Sequence, residues 1–362
     1  EVFVQHIIHS PSNQKGLMTN YIEMPYIDND DNLFLSELGP GIDYTNLNRS
    51  LSEHWLSSEE AEKLDLSHNN IGGISRRGNQ TWFALDNLIV LDSTGKVLYQ
   101  FPFSQPLFCD SQNRQWITDG NSLTWMNPEK KQSKKFVFKE LGENQAWQIH
   151  MVEISSNRYV ISSVKGLFEF DELQNKITPF KEFNAINRFS INPLLYDKTT
   201  KQIFLSANWW SNLFVLKKIA GAWKVIKQIG NTSIYSIKPS ADSTKIWLGT
   251  KKGLMKLDKQ SFDYQLFTED NGLPDNFVSD IVEEPNGNYW LVTGKGISYF
   301  DKQKNSYRIF NSKDGAYSKE YNWSAGFLLP DGRAVFGGKN GITVMNLRSM
   351  KSYNVKPKIA IT

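Results

Sequence analysis

Lys245-Ile246-Trp247-Leu248-Gly249-Thr250 runs straight into Lys251-Lys252-Gly253-Leu254-Met255-Lys256-Leu257-Asp258. The same text returns as Tyr289-Trp290-Leu291-Val292-Thr293 followed by Gly294-Lys295-Gly296-Ile297-Ser298-Tyr299-Phe300-Asp301. Each copy holds two short apolar runs, rich in aromatic and β-branched residues, around a glycine-bearing turn. That pattern predicts a strand, a tight turn and a second strand. Weaker copies have second-strand anchors at Phe34, Trp82, Trp116, Val160, Phe204 and Val335, giving eight anchors with Trp247 and Trp290. The intervals are 48, 34, 44, 44, 43, 43 and 45 residues, and the last five differ by no more than two. A period of this length with several strands per unit reads as a β-propeller. Helical repeats would need apolar residues at 3.6-residue spacing, which these segments lack.

Each unit divides into four strands. Residues 277–282 form an innermost strand, and Pro285-Asn286-Gly287-Asn288 a turn whose glycine suits positive φ. Residues 289–293, 297–301 and 307–310 follow as the second, third and outer strands. Glu59-Glu60-Ala61-Glu62-Lys63-Leu64 predicts a short helix. The final unit offers only three strands, and Val2-Phe3-Val4-Gln5-His6-Ile7-Ile8 would supply the fourth, closing the ring and hiding its edges. The expectation is an all-β, single propeller of four-stranded blades over residues 1–355. Eight anchors predict eight blades, or seven if one weak unit is an embellishment. Residues 356–362 would begin a linker to a β-sandwich domain absent from the chain.

Composition narrows the chemistry. Among 362 residues, 41 Lys and Arg face 38 Asp and Glu, a formal charge of +3 that argues against general nucleic-acid binding. The single cysteine, Cys109, excludes a disulfide framework and any CxxC site. No run of 18 apolar residues suggests membrane contact by this segment. The chain starts and stops within strand-like text, which predicts excision from something longer.

The stretch Glu269-Asp270-Asn271-Gly272-Leu273-Pro274-Asp275-Asn276-Phe277-Val278, continued to Trp290-Leu291-Val292-Thr293, resembles the regulator-propeller repeat of two-component sensors. Partial copies are Gly16-Leu17-Met18-Thr19-Asn20-Tyr21-Ile22 and Asp314-Gly315-Ala316-Tyr317-Ser318-Lys319-Glu320-Tyr321-Asn322. The resemblance implies the periplasmic sensor region of Bacteroides-type hybrid or histidine-kinase regulators. Such a region is part of a membrane-anchored sensor, with neighbouring domains and a dimer in the full receptor. Many members are linked to glycan sensing.

Propeller topology indicates where a ligand would sit. In an antiparallel four-stranded blade, the loop before the first strand and the loop after the second share one face. Counting thirteen residues back from each anchor except Phe204 puts Tyr21, Asn69, Phe103, Trp147, Ile234, Phe277 and Asn322 at that mouth, and Asn187, seventeen back, is taken for Phe204. One residue of slip substitutes Ser233 and Trp323. The loop Asn208-Trp209-Trp210-Ser211-Asn212 adds adjacent indoles that point to opposite sides if extended. Lys165, Lys251, Lys252, Lys295 and Lys339 fall in matching loops and would steer an anionic ligand there. The expected ligand contacts are therefore Trp209, Trp210, Trp323, Trp147, Tyr21, Asn322, Asn208, Lys251 and Lys295. The same aromatics could equally wedge between blades, or dock a neighbouring domain.

Catalytic equipment is sparse. The five histidines are scattered, and His6 and His9 would face opposite sides of a strand. No HExxH, GxSxG, P-loop or GxGxxG element occurs. We therefore expect a non-enzymatic sensor propeller, without cofactor or metal, for an oligosaccharide that is neutral or anionic. The alternatives are a structural docking propeller and, further off, a propeller-fold glycan lyase or hydrolase.

Overall fold

The computed structural model describes residues 22–27, 32–37, 42–46, 52–56, 58–66, 71, 73–142, 146–186, 193–207, 212–230, 232–310, 316, 318 and 320–347. Two compact units are present: residues 52–345, and residues 1–51 with 346–362.

The larger unit is a propeller of seven four-stranded antiparallel blades. The inner strands of blades 1 to 4 are Gly73–Arg77, Gln105–Cys109, His150–Ser155 and Leu194–Asp197. Those of blades 5 to 7 are Ile234–Pro239, Val278–Glu283 and Tyr321–Leu328. Within blades 1 to 6 the strands follow in sequence order. Blade 7 takes its outer strand, Ser52–Trp55, from upstream of the ring, with Ile342 opposite Trp55 and Met345 opposite Ser52.

This corrects the expectation of eight blades. Phe34 anchors no blade: its strand, Asn32–Glu37, lies between Ile22–Ile27 and Ile42–Asn46 in a three-stranded sheet of the other unit. The long interval of 48 residues from Phe34 to Trp82 marks that break. The short interval from Trp82 to Trp116 is genuine, because only residues 102–104 connect blade 1 to blade 2. The closing strand is also corrected, to Ser52–Trp55; residues 2–8 lie outside the described residues. The short helix expected near residue 59 is Ser58–Lys63.

Blades stack face to face, so their middle strands are covered on both sides and read as continuous apolar runs rather than alternating ones. Lys245–Thr250 is buried from Ile246 onward, and Tyr289–Thr293 throughout. Indoles and phenol rings fill the wedges between neighbouring blades. Trp116 meets Tyr159 at 4.9 Å, Trp247 meets Tyr289 at 5.4 Å, and Trp290 meets Phe336 at 6.1 Å between centroids. Buried indole N–H groups need acceptors, and acidic side chains supply them: Trp247 Nε1 donates to Glu283 of the next blade at 2.8 Å.

Charged clasps add to this on the face away from the mouth. Arg114 donates to both Glu172 oxygens at 2.8 Å and, through Nε, to Asp110 at 2.8 Å. Burial alone would pull its pKa down, but the Glu172 and Asp110 carboxylates more than offset this and raise it. The turn glycine of the repeat is required too. Gly253 has φ +138°, and a Cβ there would meet the Phe267 carbonyl oxygen, a backbone atom that cannot move aside.

Candidate functional site

Three aromatic rings form a continuous row where the inner strands of blades 5, 6 and 7 begin. Tyr235 lies 4.9 Å from Phe277 and 5.2 Å from Trp323 between centroids. Tyr235 and Phe277 are half-buried, while Trp323 keeps 45% of its surface exposed. Exposure on this scale is unusual for Trp unless the ring meets something else.

Irregular backbone aims these rings. Ile234 pairs with Thr250 and Ser236 with Gly249, so Tyr235 is the extra residue at a register shift in the ladder. Such a bulge bends a strand and re-aims its side chain. In blade 7 the register shifts between Tyr321 and Gly326, with Trp323 inside the shift, and Ser324 adopts a φ of +54°. Non-glycine residues seldom adopt that conformation. Phe277 is held from its own loop, its backbone N–H donating to Asp275 Oδ1 at 2.9 Å.

A polar layer follows three residues further along each of the same strands. Lys238 Nζ lies 3.3 Å from Asp280 Oδ1 and donates to the Gly326 carbonyl at 3.0 Å. Gly326 N–H donates to Asp280 Oδ2 at 2.7 Å, and Ile281 N–H to Oδ1 at 2.9 Å. Asp280 is completely buried. Burial pushes its carboxyl up despite the opposing Lys238 ammonium.

The loop entering blade 6 is tied down by its own side chains. Thr268 and Asn271 form a capping box around the turn Glu269–Asn271. Asn276 accepts from the Glu269 N–H at 2.9 Å and donates to its carboxylate at 3.0 Å. Lys295 Nζ reaches Glu269 at 2.7 Å and the Pro274 carbonyl at 2.7 Å.

Of the residues expected at the mouth, Trp323 and Phe277 are brought together here. Asn322 is adjacent but donates to the Ile71 carbonyl, tying blade 7 to blade 1. Phe103 is 50% exposed in the connector into blade 2. Trp147 falls in the turn of 3-10 helix Ala146–Gln148 before blade 3, its side chain not among those described. Lys251 is exposed in the loop after the second strand of blade 5, its N–H donating to Ser233 at 2.9 Å. Tyr21, Asn208, Trp209 and Trp210 lie outside the described residues. Tyr235 was missed, because fixed spacing reached Ile234 or Ser233 and cannot register a bulge. The available signal was Tyr235 itself, an aromatic one residue from the projected position.

Residues 272–295 match the family described as two component regulator propeller. No curated protein matches the chain in sequence. In structure it is similar to the extracellular domain of the hybrid two component system BT3049 from B. thetaiotaomicron. The identity is 19% and the TM-score 0.76, over 98% of this chain and 52% of that one. The corresponding domain of BT4673 from the same organism aligns at 16% identity and a TM-score of 0.65, over 98% and 50%. A streptogramin B lyase shares the fold at 12% identity and a TM-score of 0.60, over 77% and 94%. The chain thus spans about half the length of those two sensor domains. The resemblance read from residues 269–278 and 290–293 is borne out: this chain carries a two component regulator propeller repeat, within a fold shared with the extracellular domains of two-component systems.

Proposed function

We propose that this chain is a ligand-sensing, non-enzymatic propeller from the extracytoplasmic region of a membrane-anchored two-component sensor, in the periplasm. Its ligand is an oligosaccharide, and neighbouring domains of a dimeric receptor read out binding. The observation that carries this reading is the row Tyr235, Phe277 and Trp323, with Trp323 left 45% exposed at the end where inner strands begin. Flat aromatic faces suit the C–H faces of sugar rings, because the aromatic face carries partial negative charge. Signal would arise from a ligand that prefers one packing of the receptor's domains over another.

A thermal-shift screen against pooled oligosaccharides tests the proposal, since a ligand bound only by the folded chain raises its melting temperature. Wild type should shift with at least one pool, and Trp323→Ala should lose that shift. A screen with no shift in the wild-type chain, or an equal one in Trp323→Ala, would overturn the assignment.

A further inference from the structure

We infer that the rim of blades 5 to 7 takes an uncharged saccharide, laid flat on Trp323, rather than an anionic one; this rests on the ligand-binding reading above. Five lysines converge in sequence on the loops of this face, but the structure pairs the two on blades 6 and 7 with carboxylates. Lys295 is held by Glu269 and Pro274, and Lys339 pairs with Glu320. Lys238, beneath the rings, is committed to Asp280. Among the described residues, the loops of blades 5 to 7 on this face carry four cations, Lys251, Lys252, Lys295 and Lys339. They carry as many carboxylates, at Glu269, Asp270, Asp275 and Glu320. Among these described residues the charges balance, and two of the four lysines are paired, which leaves little net field to draw an anion in.

The rings argue the same way. An aromatic face is the negative side of its quadrupole, which attracts the C–H faces of a sugar and repels a carboxylate or sulfate placed above it. The same face would attract a cation, but the aromatic cages that recognise ammonium ligands surround the charge with rings. Here the rings pack on one another, with neighbouring centroids 4.9 and 5.2 Å apart. They make a stepped platform, neighbouring planes tilted by 51° and 38°, and leave no gap between them for an ammonium group. An uncharged ring with an apolar face is the ligand that such a platform fits.

The test is calorimetric titration of the folded chain with hexasaccharides of two kinds. One set is neutral, built from glucose, xylose or arabinose; the other is anionic, built from galacturonate or sulfated sugars. Each is titrated at about 20 mM and about 300 mM NaCl, a range over which exposed charge interactions are strongly screened. The expected result is binding by a neutral hexasaccharide with Kd changing by less than about twofold between the salts, and weakened about tenfold or more by Trp323→Ala. Binding confined to anionic sugars, weakening about tenfold or more with salt, would overturn this inference and leave the ligand-binding reading standing. Binding by neither set would overturn both.

Discussion

Lys238 Nζ lies 3.3 Å from Asp280 Oδ1, joining the inner strands of blades 5 and 6, and Gly326 of blade 7 closes the group through its N–H and its carbonyl. Three consecutive blades are thus fastened at one point, directly along the strands from the aromatic row. Removing the cation would strand a buried carboxylate, which costs about 3–5 kcal/mol where both partners are buried. Lys238 is 23% exposed at its side chain, so Lys238→Met should cost nearer about 3 kcal/mol by urea denaturation. The double variant with Asp280→Asn should lose less than the two single losses added together, since the partners are coupled. Additive losses would show that the two groups do not interact.

Gly326 is small for the same reason. A Cβ there would come within 2.8 Å of Val282 Cγ2, 2.9 Å of Asp280 Oδ2 and 3.0 Å of Phe336 Cδ1. Gly326→Ala should therefore destabilise by about 1–3 kcal/mol through overpacking. A melting temperature equal to wild type would mean that the three strands can spread at no cost.

Trp323 should behave as a recognition residue and contribute little to stability. Its ring is 45% exposed, and its aromatic neighbour is Tyr235. Trp323→Ala should change unfolding free energy by less than about 1 kcal/mol while removing ligand binding. By contrast, Trp290→Ala deletes a ring that is 1% exposed and should cost about 3–5 kcal/mol. Comparable losses from the two variants would place Trp323 in the core.

Acid should weaken the clasp between blades 4 and 5. Lys259 Nζ, in the loop after the third strand of blade 5, pairs with Asp197 at 2.7 Å. Burial works against the Asp197 charge, but Lys259, Thr200 and Thr199 hold its carboxyl down to about 2. Its native pKa therefore lies below its unfolded one, so the stability it contributes is present above about 4 and is lost as pH falls towards about 2. Asp280 has the opposite sign: its raised value means that the native state takes up the proton first, and that group relieves strain as pH falls through the raised value. Asp197→Asn should flatten the acid limb of a stability–pH curve between about 4 and about 2; an unchanged slope would contradict the clasp.

Ring closure can be tested by truncation. Trp55 is 4% exposed and pairs with Ile342, and Arg333 reaches Glu53 at 2.8 Å. A chain starting at Ser52 should retain a cooperative melt. One starting after Trp55 should lose it or form oligomers, because the third strand of blade 7 would then present an open edge. Equal melts would show that Ser52–Trp55 does not close the ring.

How much of this was legible beforehand follows from the range of each interaction. The strands of blades 5 and 6, and the glycines between them, were readable because alternation and turn chemistry act over a few residues. Phe277 and Trp323 were placed at the mouth by topology alone. Lys295 read as a free cation, because nothing in its neighbourhood of sequence shows that Glu269, twenty-six residues away, will hold it. Trp247 and Tyr289 could be recognised as strand residues, but not as partners across a wedge.

By itself, then, the amino-acid sequence determined the blade: four strands, their turns, their aromatic filling and a family-like repeat at residues 269–278 and 290–293. Only the tertiary structure decided that the ring has seven blades, that Ser52–Trp55 closes it, and that a bulge turns Tyr235 towards Phe277 and Trp323. The reason is physical. Blade formation depends on contacts between neighbours in the chain, whereas closure depends on which of several similar strands reaches an open edge almost 300 residues away. A bulge likewise shifts one residue out of a ladder without altering the apolar text on either side.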